Sequence, residues 1–312
     1  MKSVALIIPY FGKLNNYFPF WRKTALNNPS IDFLFFTDVP NSVCGISNIK
    51  VYKFSFDTLK QLVQSLYDFP IQLMSPYKLC DLKPAYGEIF HDYIKSYDYW
   101  GHCDVDLFFG DIRSFITDDI LREYDRILSR GHLTLYRNTK EVNSRYKMCD
   151  NWKYVFSRQR NFAFDEWAGT SIYWKEYLSD KMYDEKIYGN PDPSKYHFID
   201  YQWKQVGLNR TNLAYEYKDG KLFCHYLENG NLHKDEILYV HFEKRNLKVE
   251  TNNLESFYII PNKIISKSQD IDINFLKKHC SSRRIYTPYY KRRYDNLKRK
   301  IFNLFLDDIN KI

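Results

Sequence analysis

The sequence predicts an α/β fold, with a mixed, mostly parallel sheet flanked by helices and a basic amphipathic helical tail. Continuous apolar runs ended by turn signals recur in the first third of the chain. Such runs are typical of strands covered on both faces. Segments with helical periodicity separate the runs, as in βαβ units. Near the C-terminus, apolar residues recur at helical spacing among many Lys and Arg residues.

The N-terminal part of the chain predicts alternating strands and helices. In order, the predicted elements are strand 3–9, helix 17–26, strand 31–37, strand 49–54 and helix 57–67. Proline follows or ends each of the first two strands, at Pro9 and Pro40, and marks a turn. Asp57 is expected to be the N-cap of the last helix.

The next pair of elements leads to the first chemical signal. Pro84 is expected to open a helix, because its missing N–H costs nothing in the first turn. That helix leads into a strand predicted over 98–106. Asp104 and Asp106 therefore lie at the C-terminal end of a strand, where open α/β sheets bind their ligands.

Strand signals continue after Gly131, where residues 132–138 form an apolar run. Two alternating runs over 213–227 flank Asp219-Gly220, which predicts a hairpin. A last strand is expected over 237–246, and it carries His241. The polar and aromatic segment 138–168 receives no assignment.

Composition narrows the class of protein. A chain of 312 residues with 44% hydrophobic residues can bury one large domain, or one domain with an appendage. Its six cysteines are scattered, which argues against a structural zinc site or a disulfide framework and favours a reducing compartment. The N-terminal apolar run is too short for a signal peptide, and no run is long enough to span a membrane. We therefore expect a cytoplasmic protein.

The net charge of +8 comes from the tail. Residues 277–300 hold ten Lys or Arg and one acidic residue, which leaves 36 basic and 37 acidic residues elsewhere. From about residue 277 the tail predicts an amphipathic helix with an apolar stripe: Tyr290, Tyr294, Leu297, Ile301 and Phe305. Two interpretations remain open. The helix lies on an anionic membrane surface, or it packs its stripe on the rest of the protein.

The Asp104-Val105-Asp106 sequence predicts a metal site. Mg²⁺ and Mn²⁺ prefer hard oxygen ligands and often bind through one or two carboxylates together with substrate phosphates. On an extended segment, residues two apart point to the same side, so both carboxylates can serve one ion. The alternative is a solvated turn without a ligand. Asp111, which follows Gly110, is interpreted as a turn residue.

A longer pattern carries a family resemblance. The order IIPYFG, FFTD, DLKPAYGEIF and YDYWGHCDVDLFFGDI resembles that of nucleotide-sugar-dependent glycosyltransferases with the GT-A (Rossmann-like) fold. In particular, it is similar to an uncharacterised type found in bacterial capsule and lipopolysaccharide gene clusters. The resemblance covers about residues 3–113 and 160–246. It implies a catalytic domain over 1–250 and a C-terminal extension over 251–312.

The resemblance further divides the catalytic domain and implies its site. Residues 1–113 would form the nucleotide-sugar and metal half, and residues 114–250 the acceptor half. Asp104 and Asp106 would bind the Mn²⁺ or Mg²⁺ that bridges the donor diphosphate, with Asp106 the first choice as direct ligand. His241 would complete the metal site, although a histidine in an apolar strand is also an ordinary half-buried residue.

The remaining donor contacts come from the same resemblance. Lys244 would contact the diphosphate, Asp38 the base or ribose, and Asp81 and Lys83 the donor sugar and phosphate. The strand end formed by Pro9, Tyr10 and Gly12 would lie against the nucleotide. Alternatives stay open: Lys244 is then a solvated charge, Asp38 a turn residue and Asp81 a helix cap.

An inverting transferase also needs a base for the acceptor hydroxyl. Asp165 and Glu166 lie beside Trp167, and an aromatic ring suits the C–H face of a sugar. Either carboxylate is a candidate for this base. An acidic pair at a helix N-terminus is the alternative, and a retaining mechanism would need no such base.

The sequence thus predicts a metal-dependent glycosyltransferase that moves a sugar, from UDP by preference, to a growing, lipid-linked surface glycan. Its expected partners are the nucleotide-sugar donor, the glycan acceptor and the inner face of the cell membrane, without nucleic acid. Two alternatives use the same features. A nucleotidyl- or phosphotransferase would use the metal site, although the P-loop motif is missing from the sequence. A nucleic-acid-binding protein would use the basic tail.

Overall fold

The computed structural model describes residues 1–166, 169–200, 208–243 and 245–309, with side chains of the last helix described to Lys298 and at Ile301. The chain forms two compact units that interleave along the sequence. The first unit comprises Met1–Leu14, Pro29–Asp104 and Ile116–Glu185. The second comprises Asn15–Asn28, Val105–Phe115 and Lys186–Ile312. The boundaries expected at residues 113 and 250 concern function and remain predictions.

The first unit is built on a seven-stranded sheet. Its strands in spatial order are β3 (Ile49–Lys53), β2 (Ile31–Thr37), β1 (Val4–Tyr10), β4 (Tyr99–Cys103), β7 (Leu133–Arg137), β6 (Arg126–Arg130) and β8 (Met182–Tyr183). The first four strands run parallel, β7 is antiparallel to both β4 and β6, and β8 is parallel to β6. The predicted α/β class with a mixed, mostly parallel sheet is confirmed.

Apolar residues explain the central strands of this sheet. Val4 pairs with Ile31 and Tyr10 with Thr37 in an unbroken parallel register. The Phe33–Phe36 run of β2 is fully buried, which is the pattern expected for a parallel strand covered on both faces. The core of the first unit continues into the helical segment before β4, where Phe90 and Trp100 have no exposed surface.

The second unit contains a six-stranded sheet and a separate two-stranded sheet. The larger sheet has the order β11 (Asn231–Glu236), β10 (Lys221–Glu228), β9 (Arg210–Lys218), β14 (Ser256–Ile260), β15 (Lys263–Ser266) and β13 (Lys248–Glu250). The smaller one pairs β5 (Leu107–Phe109) with β12 (Tyr239–His241). The hairpin predicted around Asp219-Gly220 is confirmed as β9–β10, with positive φ at both turn residues.

Short helices connect the strands. The α-helices are α1 (Phe18–Leu26), α2 (Pro40–Val43), α3 (Phe56–Ser65), α4 (Leu79–Leu82), α5 (Tyr86–Ile89), α6 (His91–Ile94), α7 (Ile112–Phe115), α8 (Asp118–Glu123), α9 (Lys140–Ser144), α10 (Trp152–Phe156), α11 (Thr170–Tyr177), α12 (Ile273–Cys280) and α13 (Thr287–Ile309). Single 3₁₀ turns occur at Pro76–Lys78, Lys83–Ala85, Arg145–Met148 and Ser179–Lys181.

Two helix starts differ from the prediction. The N-cap of α3 is Ser55, whose hydroxyl accepts the Thr58 N–H at 3.0 Å, while Asp57 lies in the first turn. Pro84 does not open a helix but lies in the 3₁₀ turn between α4 and α5. Proline removes an N–H and crowds the preceding turn, so the helical ladder breaks into short pieces there.

The C-terminal helix begins later than predicted. Residues 273–280 form α12, and the chain then leaves the helical path before α13 starts at Thr287. Tyr196 N donates to Arg284 O, and Ile285 forms an isolated bridge with Lys195, so the intervening segment pairs with a loop instead. Among the helices that the structure describes, α13 included, no helix is both long enough and apolar enough to cross a membrane.

Candidate metal centre

The two aspartates lie in a bend rather than on an extended strand. Strand β4 ends at Cys103, and β5 begins at Leu107 in a different sheet. Asp104 N donates to His132 O at 3.0 Å, which continues the edge of the first unit for one more residue. The prediction that this pair follows the C-terminal end of a strand is confirmed. Its extended geometry is wrong, because the chain changes sheets between the two carboxylates.

His241 reaches Asp106 within the second unit. Strand β12 is antiparallel to β5, with His241 opposite Leu107, the residue after Asp106. Phe242 N donates to Asp106 O at 2.9 Å and extends this pairing. As a result, His241 Nε2 lies 3.4 Å from Asp106 Oδ1, and the two residues are 7% and 9% exposed. The imidazole thus faces a carboxylate at the end of its short strand.

Asp104, Asp106 and His241 form a cluster that can hold a metal ion. Each offers one ligand atom, and these atoms all lie within 4.8 Å of one another. Only one residue separates the two aspartates in the chain, and Asp106 meets His241 inside one unit. Carboxylate oxygens suit Mg²⁺ and Mn²⁺, and an imidazole nitrogen adds preference for a transition-metal ion. The donor set fits the predicted Mn²⁺ or Mg²⁺, and Mn²⁺ better.

Asn190 is a residue of this centre that the sequence did not reveal. Its Oδ1 lies 3.3 Å from His241 Nδ1, on the side of the ring away from Asp106. With the proton on Nδ1, Nε2 keeps its lone pair for a metal, as is usual for metal-binding histidines. Gly189 places Asn190 by pairing beside Val240, and a Cβ on Gly189 would lie 2.8 Å from the Tyr215 ring.

Lys83 holds Asp104 from within the first unit. Its Nζ lies 2.7 Å from Asp104 Oδ1, donates to Gly131 O at 2.7 Å, and lies 3.7 Å from Asp165 Oδ2. Burial lowers the pKa of Lys83, but the charge of Asp104 more than offsets this and the pKa lies well above its ordinary value. Lys83 is therefore a buried cation fixed beside a metal-binding carboxylate. Its predicted contact with a donor phosphate remains a prediction.

Asp165 and Glu166 both pack against Gly131, in the turn between β6 and β7. Gly131 N donates to Glu166 Oε1 at 2.8 Å. A Cβ on Gly131 would lie 2.9 Å from Asp165 Cγ and closer still to Oδ2. Burial raises the pKa of Asp165 to about 7, against the lowering effect of Lys83. Asp165 is 5% exposed, whereas Glu166 is partly exposed.

Asp81 has a different environment from the one predicted. It is fully buried, and its Oδ2 lies 2.8 Å from Lys78 Nζ. Its carboxylate also accepts the Phe162 and Phe164 N–H groups, at 3.0 and 2.9 Å for the shorter contacts. Asp81 therefore fixes the loop that leads to Asp165, and it is neither a helix cap nor a group open to a donor sugar.

The nucleotide-side prediction falls on the ends of β1 and β2. Asp38 is exposed, and its Oδ1 accepts the Gly12 N–H at 2.9 Å. Gly12 adopts φ of 96°, a conformation that favours glycine, and Tyr10 donates its hydroxyl to Lys13 O at 2.8 Å. Pro9, partly exposed, lies at the end of β1. These residues meet at the carboxyl edge of two parallel strands, where ligands bind in open sheets.

The other expected residues divide into two groups. Lys244 and Trp167 lie outside the described residues, so the predicted diphosphate and sugar contacts stay predictions. The strand expected over 237–246 ends at His241, and Glu243 follows in a left-handed conformation with φ of 46°. Asp111 is structural as interpreted, because its Oδ1 accepts the Arg113 and Ser114 N–H groups.

A comparison with known families gives one match, described as a family of unknown function (DUF6625), over residues 6–268. This range includes the three residues of the metal cluster, the Lys83 pocket and Asn190. No curated protein matches the chain.

Proposed function

The chain belongs to the family of unknown function DUF6625, and we propose that it is a metal-dependent glycosyltransferase with a GT-A-like fold. In this proposal it moves a sugar from a nucleoside diphosphate, UDP by preference, to a growing glycan. Its resemblance to enzymes of capsule and lipopolysaccharide gene clusters suggests a surface glycan as the product.

The single observation that carries this proposal is the Asp104–Asp106–His241 cluster. It combines a hard, anionic donor set with a place directly after the carboxyl end of a parallel strand. A buried cluster of this kind is expensive unless a cation compensates it, since two carboxylates repel each other. A divalent ion with a diphosphate would supply that compensation.

The residues of the cluster have separate parts in the proposed chemistry. Asp104, Asp106 and His241 would hold the ion, and Asn190 orients His241. Bound there, the ion would supply positive charge that stabilises a departing nucleoside diphosphate. Lys83 keeps a further positive charge 2.7 Å from Asp104, inside the protein.

The acceptor base has two candidates. The pKa of Asp165 lies at about 7, close to the value that suits a general base at neutral pH. Glu166 is more exposed and shares the Gly131 turn with it. The variants Asp165→Asn and Glu166→Gln separate the two, because loss of the base lowers kcat at unchanged donor binding.

The decisive experiment compares nucleotide binding with and without Mn²⁺. We expect one nucleoside diphosphate to raise the melting temperature only when Mn²⁺ is present, and we expect Asp106→Asn to abolish this shift. Asp111→Asn is the matched control, because it lies five residues away on the same segment but outside the cluster. Slow hydrolysis of the corresponding nucleotide sugar, lost in EDTA, would then identify the donor.

Three outcomes would count against the proposal. A melting temperature indifferent to every nucleoside diphosphate with Mn²⁺ would contradict it. So would a shift that survives in Asp106→Asn. Release of pyrophosphate or transfer of a phosphate group, with the sugar bond intact, would favour a nucleotidyl- or phosphotransferase.

A further inference from the structure

The last helix, α13, turns its apolar stripe away from the protein. At about 100° per residue, Tyr290, Tyr294, Leu297 and Ile301 fall within an arc of about 60°. They are 45%, 58%, 55% and 46% exposed. The partly buried residues of the same helix, Tyr289, Arg292 and Asn296, centre about 140° away. The stripe is therefore on the outer side, and the interpretation that it packs on the rest of the protein is wrong for these residues.

Basic residues border this stripe on both sides. On the same helical projection, Lys291 and Lys298 lie about 80° to one side of its centre, and Arg293 about 70° to the other. All three are exposed. An apolar arc between two rows of Lys and Arg matches the boundary of an anionic bilayer, where rings and aliphatic chains enter and cations meet the headgroups.

The start of α13 is fixed to the loop that follows His241. Arg292 donates to Glu243 O at 3.3 Å, and Glu243 is two residues beyond His241. Tyr286, just before the helix, donates its N–H to Ser194 O at 3.1 Å. Its ring lies 5.0 Å from the guanidinium of Arg245, which is 1% exposed. A surface that bound α13 would thus be held at a set distance from the candidate metal ligand His241.

We propose that the outer face of α13, with its stripe of Tyr290, Tyr294, Leu297 and Ile301, docks on an anionic membrane surface. The helix would lie in the interface, with Lys291, Arg293 and Lys298 among the lipid phosphates. This binding does not depend on the proposed function. Its consequence does: a site rooted beside α13 would act on an acceptor carried by the same membrane.

Charge decides for a membrane over a second copy of the chain. Two copies that met through this face would bring their Lys and Arg rows together, and like charges at an interface cost affinity. An anionic bilayer is complementary both to these rows and to the apolar arc between them. Nucleic acid is complementary to the charge and can stack on tyrosine, but it offers no apolar layer for Leu297 and Ile301.

The test uses the full chain and vesicles of phosphatidylcholine, with or without phosphatidylglycerol, in a sedimentation assay. The charge variant is Lys291→Gln/Arg293→Gln/Lys298→Gln. Each basic residue near an anionic surface contributes about a fivefold change in partition, so we expect the triple variant to bind about a hundredfold more weakly. The charge-matched control is Lys53→Gln/Lys95→Gln/Lys140→Gln, three exposed lysines of the first unit, which should bind like wild type.

A second variant tests the apolar arc. Tyr294→Ser/Leu297→Ser should weaken binding to anionic vesicles by about tenfold or more, because burial of one such side chain is worth that much. Tyr177→Ser, at a tyrosine that is 68% exposed, is its control. Both changes are at exposed side chains, so the melting temperature should stay that of wild type and exclude misfolding as the cause.

The outcomes separate this proposal from the proposed function. Asp106→Asn should bind vesicles like wild type, and the α13 variants should keep Mn²⁺-dependent nucleotide binding in solution. Equal partition to neutral and anionic vesicles, or wild-type binding by both α13 variants, would overturn the membrane proposal. It would also be overturned if α13 supported salt-sensitive RNA or DNA binding, or self-association, without binding vesicles.

Discussion

Replacement of Asp165 by asparagine should change how stability depends on pH. Asp165 is 5% exposed, and its burial raises its pKa from 3.8 to about 7, although Lys83 lowers it in part. Between these two values the folded protein keeps a proton that the unfolded chain has released. The contribution of Asp165 to stability is therefore complete below pH about 4 and is lost as the pH rises through about 7. The asparagine side chain of the variant would have no proton to release.

The size of this effect follows from the shift. Three pKa units correspond to about 4 kcal/mol, at about 1.36 kcal/mol per unit. Between pH 5 and pH 8 the folded state holds the extra proton over about two of these units, so about 3 kcal/mol falls within that interval. Whatever Asp165→Asn costs at pH 5, it should cost about 3 kcal/mol less at pH 8, and can become stabilising there.

Urea unfolding at the two pH values measures this difference directly. Other titrating groups are common to wild type and variant, so they cancel when the two free energies of unfolding are subtracted at each pH. Asp180→Asn, at a side chain that is 74% exposed in the same unit, is the control and should give equal differences at pH 5 and pH 8. Equal differences for Asp165→Asn as well would show that its carboxyl is not held protonated, and would refute the reasoning.

Two further predictions concern residues that support the site. Asn190→Ala should weaken Mn²⁺ binding about tenfold in calorimetry, at the low end for such partners because its contact with His241 is long, 3.3 Å. Asn231→Ala, an exposed strand residue, is the control, and unchanged affinity in Asn190→Ala would argue against ring orientation. Gly131→Ala should cost about 2 kcal/mol in urea unfolding, because its Cβ overlaps Asp165. Adding Asp165→Ala should recover part of that loss, and strictly additive costs would contradict the overlap.

Local signals predicted the elements whose neighbours are close in sequence. The apolar runs of β1 and β2 end within one residue of their predicted limits, because covered parallel strands need continuous apolar residues. Asp219-Gly220 suits a two-residue turn with positive φ, and its hairpin formed as expected. Helix α3 shows the limit of such signals. Ser55 and Asp57 are both good N-caps, and one of them had to be chosen without knowledge of the backbone path.

The site needed information that is far apart in the chain. The predicted strand over 98–106 divides into β4 and β5 because β5 pairs with β12, more than a hundred residues later. Asn190 reaches His241 only through the pairing of Gly189 with Val240. The segment 188-YGNPD-192 contains turn-forming residues and reads as an ordinary loop. No local pattern marks a side chain that acts by orienting a histidine.

Asp81 and Lys83 make the same point with a consequence for function. One residue separates them, and the sequence assigned both to the donor. Asp81 lies with Lys78 and the backbone at Phe162 and Phe164, whereas Lys83 lies with Asp104. Both are buried, but only Lys83 adds charge beside the metal cluster. Damage to Asp81 should therefore act through the fold of the loop before Asp165, and damage to Lys83 should act on Asp104 as well.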